Sequence, residues 1–453
     1  MLDEFQLEDL RRASVTYLNL FFAPMQRLLI INAKALVGTH PVGTKIIAGA
    51  AMAQLPLVEN AWLLAEDGRI AAFGPMSTRP NTSEKAEEVI DAKGGYVIPG
   101  WCDPHTHTVF AAPREEEFVD KIKGRSYQEI AAKGGGILNS AKKLRTMNAD
   151  VLFEQAKARL QEMMRQGTVA VEIKSGYGLT AESELKMLRV ARRLADVLPL
   201  QVRTSLLAAH ALPPEFADDR SAYVDLIVNE LIPQVKKEGL ADFVDTFCET
   251  NYFTVAEMER ILVAGAAHGL RGKVHVNQFT SIGGIPAAVK HNALSVDHLE
   301  VMEDQDIDAL VMAHSSPLSG RGAGGEGTIP TLLPSCSFFL RIPYGPARQL
   351  IDRGLPVALA TDFNPGTTPS GNMNFVLSLA CIQLRMLPEE AINAMTLNSA
   401  AAMGLAEELG SITVGKRASL IITQPIPSLA YLPYAFGNSH IGTVIIDGRA
   451  VKA

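Results

Sequence analysis

The chain has 453 residues, a formal net charge of -7 and 47% apolar residues. That length exceeds one ordinary domain, although a single barrel can take up roughly 250 residues. An acidic balance with no block of Lys and Arg argues against nucleic acid or an anionic membrane as the main partner. The four cysteines, Cys102, Cys248, Cys336 and Cys381, lie far apart. They fit reduced thiols in a cytoplasmic protein better than a disulfide scaffold or a zinc knuckle.

Residues 1–27 open with MLDEFQLEDL, which is too acidic for a secretory signal. The uncharged run ASVTYLNLFFAPMQ is too short and too polar to cross a bilayer, which needs about 20 apolar residues. This stretch reads as an N-terminal extension lying on the fold or on a partner. Residues 28–98 are β-rich: LLIINAKALV, NAWLLAEDGRIAAFG and EEVIDAKGGYVI are apolar runs broken by DG and GG turns. The last part, 406–453, returns to the same style in SITVGKRASLIIT and HIGTVIIDGRAVKA. Two such ends predict one small β-sandwich built from both termini, with two separate β modules as the alternative.

The middle, 99–405, alternates strand-like and helix-like segments. Its eight strand candidates are GWCDPHTH, TVAVEIKS, QVRTSLLAAH, ADFVDTFCE, KVHVNQ, ALSVDHLE, GTIPTLLP and PVALATDF. Parallel strands with helical crossovers follow from this alternation, and eight units predict a closed (β/α)8 TIM-type barrel. Two loops stand out. KGGG at 133–136 reads as a mobile lid or a turn, and MAHSSPLSGRGAGGEG at 312–327 reads as a surface insertion.

Chemistry in such a barrel sits at the C-terminal strand ends. Here those ends carry His105 and His107, Lys174, His210, Glu249, His275, His298 and Asp362. Side chains two apart on a strand share a face, so His105 and His107 can grip one divalent cation. His275 and Asp362 would complete three nitrogens and one oxygen with room for water. Such a cation lowers water's pKa from about 15.7 towards about 7. Asp362 can also accept the water's proton. His298 is then free to polarise a carbonyl or shuttle a proton, or it is a core histidine bonded to nearby backbone. Arg114 is either a salt-bridged surface arginine among three glutamates or a bidentate clamp for a substrate carboxylate. Tyr177, flanked by glycines, is a turn aromatic or a ligand contact. His210 faces the same end. Asn364, Gly366 and Thr367 follow Asp362 directly, where amide and backbone donors could hold substrate. His40, His268, His291, His314 and His440 read as structural or surface residues.

DPHTH with Phe110 and Arg114, AAKGGGIL, EIKSGYGL, AAHALPPE, KVHVNQ, SVDHL and LATDFNPGTTP are similar to the motifs of the imidazolonepropionase family of the amidohydrolase superfamily. The resemblance runs from about residue 60 to the C-terminus. It implies an amidohydrolase barrel with a small β-sandwich, one zinc or iron ion, and a homodimer. It also implies hydrolysis of 4-imidazolone-5-propanoate to N-formimino-L-glutamate in histidine degradation. Carried onto this sequence, it places metal ligands at His105, His107, His275 and Asp362. Substrate contacts fall at Arg114, Tyr177, His210, Gln278, Asn364, Gly366 and Thr367, and the catalytic histidine is His298. Gln278 departs from members with glutamate there, which leaves proton transfer to Asp362 and His298, with Gln278 holding the ring. Residues 312–327 and the first two dozen residues have no counterpart in the pattern. Two alternatives stay open: another amidohydrolase, such as a heterocycle deaminase or cyclic-imidase relative, and an inert barrel acting as a binding module. A carboxylate clamp at Arg114 speaks against the former, and bound metal would exclude the latter.

Overall fold

The computed structural model describes residues 27–80, 88–125, 129, 135–315 and 327–451. The N-terminal extension up to Gln26, Lys133 and Gly134 of the glycine loop, and residues 316–326 of the glycine-rich stretch lie outside the described residues. Met312–Ser315, read from composition as loop, instead end the helix Asp304–Ser315. Ala313 is buried there, and the His314 ring bonds the Thr328 carbonyl at 2.9 Å, so packing carries the helix past where Gly and Ser begin.

Five N-terminal strands, β1 (Arg27–Val37), β2 (Leu57–Glu66), β3 (Arg69–Pro75), β4 (Glu88–Asp91) and β5 (Tyr96–Pro99), join three C-terminal ones. The latter are β14 (Leu420–Thr423), β15 (Ile441–Ile446) and β16 (Arg449–Ala450). Together they make one mixed sheet, and the two ends of the chain meet where β5 pairs antiparallel with β14, Ile98 opposite Ile421. Two Asp-Gly turns close its hairpins. Asp67 and Gly68 (φ 47° and 78°), like Asp447 and Gly448 (φ 48° and 74°), have the paired positive φ of the tight hairpin turn that follows strand twist. Leu28, Ile30, Leu36, Leu63, Ile70, Leu420 and Ile445 fill one buried cluster between strands from both termini.

The eight strand candidates of the middle all form. They are β6 (Trp101–Thr106), β7 (Thr168–Lys174), β8 (Gln201–Ala209), β9 (Phe243–Cys248), β10 (Arg271–Val276), β11 (Ser295–His298), β12 (Ile329–Leu332) and β13 (Ala358–Leu359). They pair in parallel in sequence order. The ring closes just beyond β13: Thr106 bridges Phe363, His107 N–H donates to the Phe363 carbonyl at 2.8 Å, and Asp362 N–H donates to the His105 carbonyl at 3.1 Å. Amphipathic crossovers wrap the outside, among them Ala149–Arg165, capped by Asn148, and Val255–Ala267, capped by the Thr254–Glu257 box.

Period-two alternation sets what each barrel strand shows to either side. Val171 and Ile173 on β7, Val244 on β9, Val274 and Val276 on β10 and Val296 on β11 pack outward against the helices. Each such burial stabilises by about 1.5–3 kcal/mol. The alternate positions, Glu172, Lys174, Asp245, Lys273, His275 and Asp297, are buried charged or polar groups inside the ring.

The irregular segment between β1 and β2 is held under the barrel by buried amides. Asn398 Nδ2 donates to the carbonyls of Ile47 (2.8 Å) and Val357 (3.0 Å), and its Oδ1 accepts from Ile47 N–H at 2.9 Å. Asn398→Ala removes all three bonds at a fully buried site. The expected cost is about 3 kcal/mol in urea denaturation, and an unchanged midpoint would refute the staple.

Candidate metal centre

The three histidines at the barrel mouth are each fixed through Nδ1. His105 Nδ1–H donates to Asp297 Oδ2 at 2.7 Å, His275 Nδ1–H to Asp245 Oδ1 at 3.1 Å, and His107 Nδ1–H points at the Ser175 carbonyl at 3.4 Å. That leaves Nε2 of each ring as the lone-pair atom. The three Nε2 atoms converge: His107 and His275 are 3.4 Å apart, and Asp362 Oδ1 stands 3.6 and 3.7 Å from His105 and His107. His105 Nε2 is buried with no hydrogen-bond partner, as a ligand atom awaiting a cation must be. Burial, then neighbouring charges (His275 and Lys174 for His105, His210 and His275 for His107), holds both imidazoles well below their ordinary pKa, so they are neutral and able to ligate. Buried nitrogen and carboxylate donors in this arrangement fit one divalent transition metal.

Beneath the cluster lies an ionic layer. Lys174 Nζ reaches Glu172 (2.6 Å), Asp245 (2.8 Å) and Asp297 (3.4 Å), and Lys273 Nζ reaches Glu172 at 2.5 Å. Burial opposes the charge on Lys174, but Asp245, Glu172 and Asp297 lift its pKa above the ordinary lysine range. The carboxylates that orient His105 and His275 are therefore themselves held by a lysine.

Above the cluster opens a cavity of about 1300 Å³ whose wall includes His107, Arg114, Tyr177, His210, His275, Gln278, His298, Asp362, Asn364 and Thr367. Besides Lys174, two residues singled out from the sequence lie off this wall. His105 is underneath it, and Gly366 lies behind Arg114, where an added Cβ would stand 2.2 Å from the Arg114 Nη1. Arg114 is neither a surface ion pair nor a lone clamp. Its Nη2 pairs with Glu117 Oε2 at 2.5 Å with both side chains about nine-tenths buried, and the other Glu117 oxygen accepts the Gly136 N–H at 3.0 Å. Tyr177 and His107 meet edge to face, and His210 stacks on His107 with its Nδ1 tied to the Gly176 carbonyl. Burial, then His275, lowers the His210 pKa to about 3.

His298 is not the backbone-bonded core histidine that was the alternative. It sits at φ 88°, lines the cavity, and turns Nδ1 towards Glu300 Oε1 at 3.5 Å. Burial works against its protonation, but the Glu300 carboxylate outweighs that and raises its pKa. Burial also raises the pKa of Asp362, against the pull of His298 and His275. Asn364 Oδ1 accepts the N–H groups of Gly366 and Thr367 at 2.8 Å each, and Thr367 Oγ1 donates to Asp362 Oδ2 at 3.2 Å. The five histidines set aside as structural each bond a neighbour: His40 to Asn393, His268 to the Ala264 carbonyl, His291 to Glu259, His314 to Thr328 and His440 to the Ala435 carbonyl.

Sequence reading missed Asp245, Asp297, Glu117, Glu300 and Cys336. The first two had a mark, since a carboxylate inside an apolar strand run such as FVDTF or SVDH has to be paired in a packed interior. Cys336, passed over as a spare thiol, has its Sγ 3.5 Å from Gln278 Nε2.

Residues 96–451 match the Amidohydrolase family. An imidazolonepropionase of Flavobacterium johnsoniae is 53% identical over 423 residues, 93% of this chain and 99% of that one. An imidazolonepropionase of Christiangramia forsetii is 52% identical over 424 residues, 94% of this chain and 100% of that one. Among solved structures, an adenosine deaminase from Xanthomonas campestris with bound zinc aligns with TM-score 0.67 at 16% identity, over 93% of this chain and 92% of that one. The guanine deaminase of E. coli aligns with TM-score 0.68 at 15% identity, over 94% of this chain and 99% of that one. At such low identity the structural likeness concerns the fold.

Elemental analysis of the purified protein should find about one equivalent of divalent metal per chain, lost in His105→Ala and Asp362→Asn. Less than about half an equivalent would favour an inert barrel. Lys174→Met leaves three buried carboxylates short of a cation and should cost about 3–5 kcal/mol. An unaltered denaturation curve would show that the ionic layer does not hold the cluster.

Proposed function

We propose, from the premise that this chain belongs to the Amidohydrolase family and groups with the imidazolonepropionases within it, that it hydrolyses the cyclic amide of 4-imidazolone-5-propanoate to N-formimino-L-glutamate. The observation that carries this reading is that the Arg114 side chain and a cluster of potential metal ligands face one cavity. A substrate with a ring amide at one end and a carboxylate at the other matches those two poles.

When bound by His105, His107, His275 and Asp362, a zinc or iron ion supplies Lewis acidity and makes water acidic enough to ionise near neutral pH. The side chains do the rest. Arg114 offers its guanidinium fork to the propionate, and the Glu117 pair fixes that fork in place. Gly366, having no Cβ, lets the guanidinium come close to the loop after β13. Tyr177, His210 and Gln278 surround the ring, the amide of Gln278 able to donate or accept. Asp362 accepts the proton of the attacking water, and burial suits its carboxyl to hold one. His298, whose protonation Glu300 favours, donates to the carbonyl oxygen as negative charge grows on it. The ring carbon–nitrogen bond then breaks, with the pair of electrons leaving on nitrogen, and Asp362 returns its proton there. Water is thus added across the amide, hydroxyl to carbon and hydrogen to nitrogen.

A small-molecule partner follows from this reading. A homodimer rests on the family resemblance alone, and a cytoplasmic setting on the reading of the four cysteines as reduced thiols. Among the described residues no helix is long and apolar enough to cross a membrane.

An ultraviolet assay should show loss of imidazolone propionate, with no ammonia released; ammonia from an amino-heterocycle would instead identify a deaminase. Arg114→Ala should raise KM by about 10- to 100-fold with a smaller change in kcat, and an unchanged KM would remove the clamp. His298→Ala should lower kcat by about 10²- to 10⁴-fold with the metal retained; loss of metal would make His298 a ligand.

A further inference from the structure

One group beside the metal centre is left over by the reaction, the thiol of Cys336. Cys336, fully buried, comes from the short helix Pro334–Leu340 that follows β12. Its sulfur, a ring nitrogen of His298 and a carboxylate oxygen of Asp362 all lie within 4.8 Å of one another, and all three residues are buried. Asp362 belongs to the first cluster through Oδ1, which faces His105 and His107. Its other oxygen accepts from the Thr367 hydroxyl at 3.2 Å, and the Cys336 thiol is itself within hydrogen-bonding reach of the Asp362 carboxylate. His298 has Nδ1 towards Glu300, which leaves the opposite ring nitrogen for a ligand. A carboxylate behind an imidazole in this way is the usual outer support of a ligating histidine. Two atoms here are buried with no hydrogen-bond partner, His298 Nδ1 and Glu300 Oε2, on side chains only 4% and 6% exposed.

We propose that Cys336, His298 and Asp362 form a second cation site, sharing Asp362 with the first and taking a thiophilic divalent ion of the zinc class when metal is in excess. One sulfur, one nitrogen and one oxygen form a borderline-soft set that magnesium and calcium decline. Ligands about 2.0–2.3 Å from zinc stand roughly 3.5 Å from one another. The observed 4.8 Å limit therefore asks only for small side-chain movements. Coordination releases the thiol proton to solvent, so the incoming ion is met by a thiolate and a carboxylate. One carboxylate oxygen for each ion is the bridging arrangement of two-metal sites.

The consequence for activity rests on the role proposed above for His298. An imidazole whose free nitrogen holds a cation has no proton to give the substrate carbonyl. Excess metal should therefore silence the enzyme rather than activate it.

The test uses the full chain stripped of metal and titrated with Co²⁺. The first equivalent should restore turnover without a near-ultraviolet thiolate-to-cobalt band. The second should bring that band and lower turnover by about 100-fold. Cys336→Ser should lose both the band and the second step, whereas Cys381→Ser, at the half-buried thiol, should keep them. Should Cys336→Ser fail to fold, X-ray absorption at the cobalt edge of the unmodified protein decides: a sulfur neighbour should appear only beyond the first equivalent. Saturation without sulfur, or a band that persists in Cys336→Ser, overturns the site. Sulfur binding with undiminished turnover leaves the site standing and overturns the role given to His298. An absence of turnover at every loading overturns the proposed reaction instead.

Discussion

Everything at the mouth of this barrel depends on Lys174. Its ammonium sits on the barrel axis side of β7, fully buried, with three carboxylates around it. Burying that many charges is costly, and only mutual pairing offsets the cost. The pairing also has direction. Two of the three carboxylates, Asp245 and Asp297, lean the other way onto His275 and His105. The tautomer and tilt of two ligating rings are thus set from strands β7, β9 and β11 at once. The layer is also out of balance. Lys174 and Lys273 face Glu172, Asp245 and Asp297, and Asp362 adds a further negative group above. A divalent cation at the histidine cluster compensates that surplus, so the interior of the barrel and the metal it would hold belong to one electrostatic unit.

The strand ends add a second constraint, in the backbone. Asn277, His298 and Asp362 have φ of 56°, 88° and 57°, conformations that cost about 1–3 kcal/mol each outside glycine. They persist because their surroundings fix them. Asp362 N–H is bonded to His105, and Thr361 just before it is clasped by Asp103 through backbone and hydroxyl, at 3.1 and 2.6 Å. The turn so imposed swings His298 and Asp362 over the histidine cluster instead of on along the strand. At the opposite side of the cavity, Glu117 ties Arg114 to Gly136, and Lys121 reaches the Gly366 carbonyl at 3.3 Å. The cavity therefore has the histidine cluster at one pole and the Arg114 guanidinium at the other, held by separate networks.

Much of this was legible in the sequence, and the reasons differ from part to part. The eight barrel strands were visible because each is a short apolar run, and all but GTIPTLLP carry an ionisable residue at or near the end. The histidine cluster was visible because a two-residue spacing on a strand puts both rings on one side. Pairing of the two termini was visible as matching Asp-Gly hairpins at either end of the chain. What stayed hidden depends on contacts between distant strands. Nothing local to Lys174 says whether it points at substrate or down into the barrel, since both directions lie at the end of the same strand. Nothing local to Arg114 chooses among Glu115, Glu116 and Glu117, because only the helix turn that starts there brings Glu117 back onto the guanidinium. Cys336 lies 26 residues before Asp362 in the chain and meets it only because β12 and β13 are neighbours.

Gln278 stands where some members of the resembling family carry glutamate, and the proposed reaction has other groups take up the burden. An amide can orient the ring but cannot carry a proton, so under the proposed reaction acid–base work is divided between Asp362 and His298, both on the cavity wall. Their environments push them in useful ways. Burial lifts the pKa of Asp362, which makes it a better holder of a proton in transit than an exposed aspartate would be. His298 would lose its proton to burial were it not for Glu300 two residues on, whose carboxylate keeps the imidazolium favoured. Under the proposed reaction, Glu300 thus supplies from behind His298 the negative charge that a glutamate at position 278 would have placed beside the substrate. The carboxylate has moved from the substrate's side to the donor's, and the chemistry asked of it changes from accepting a proton to keeping one in place.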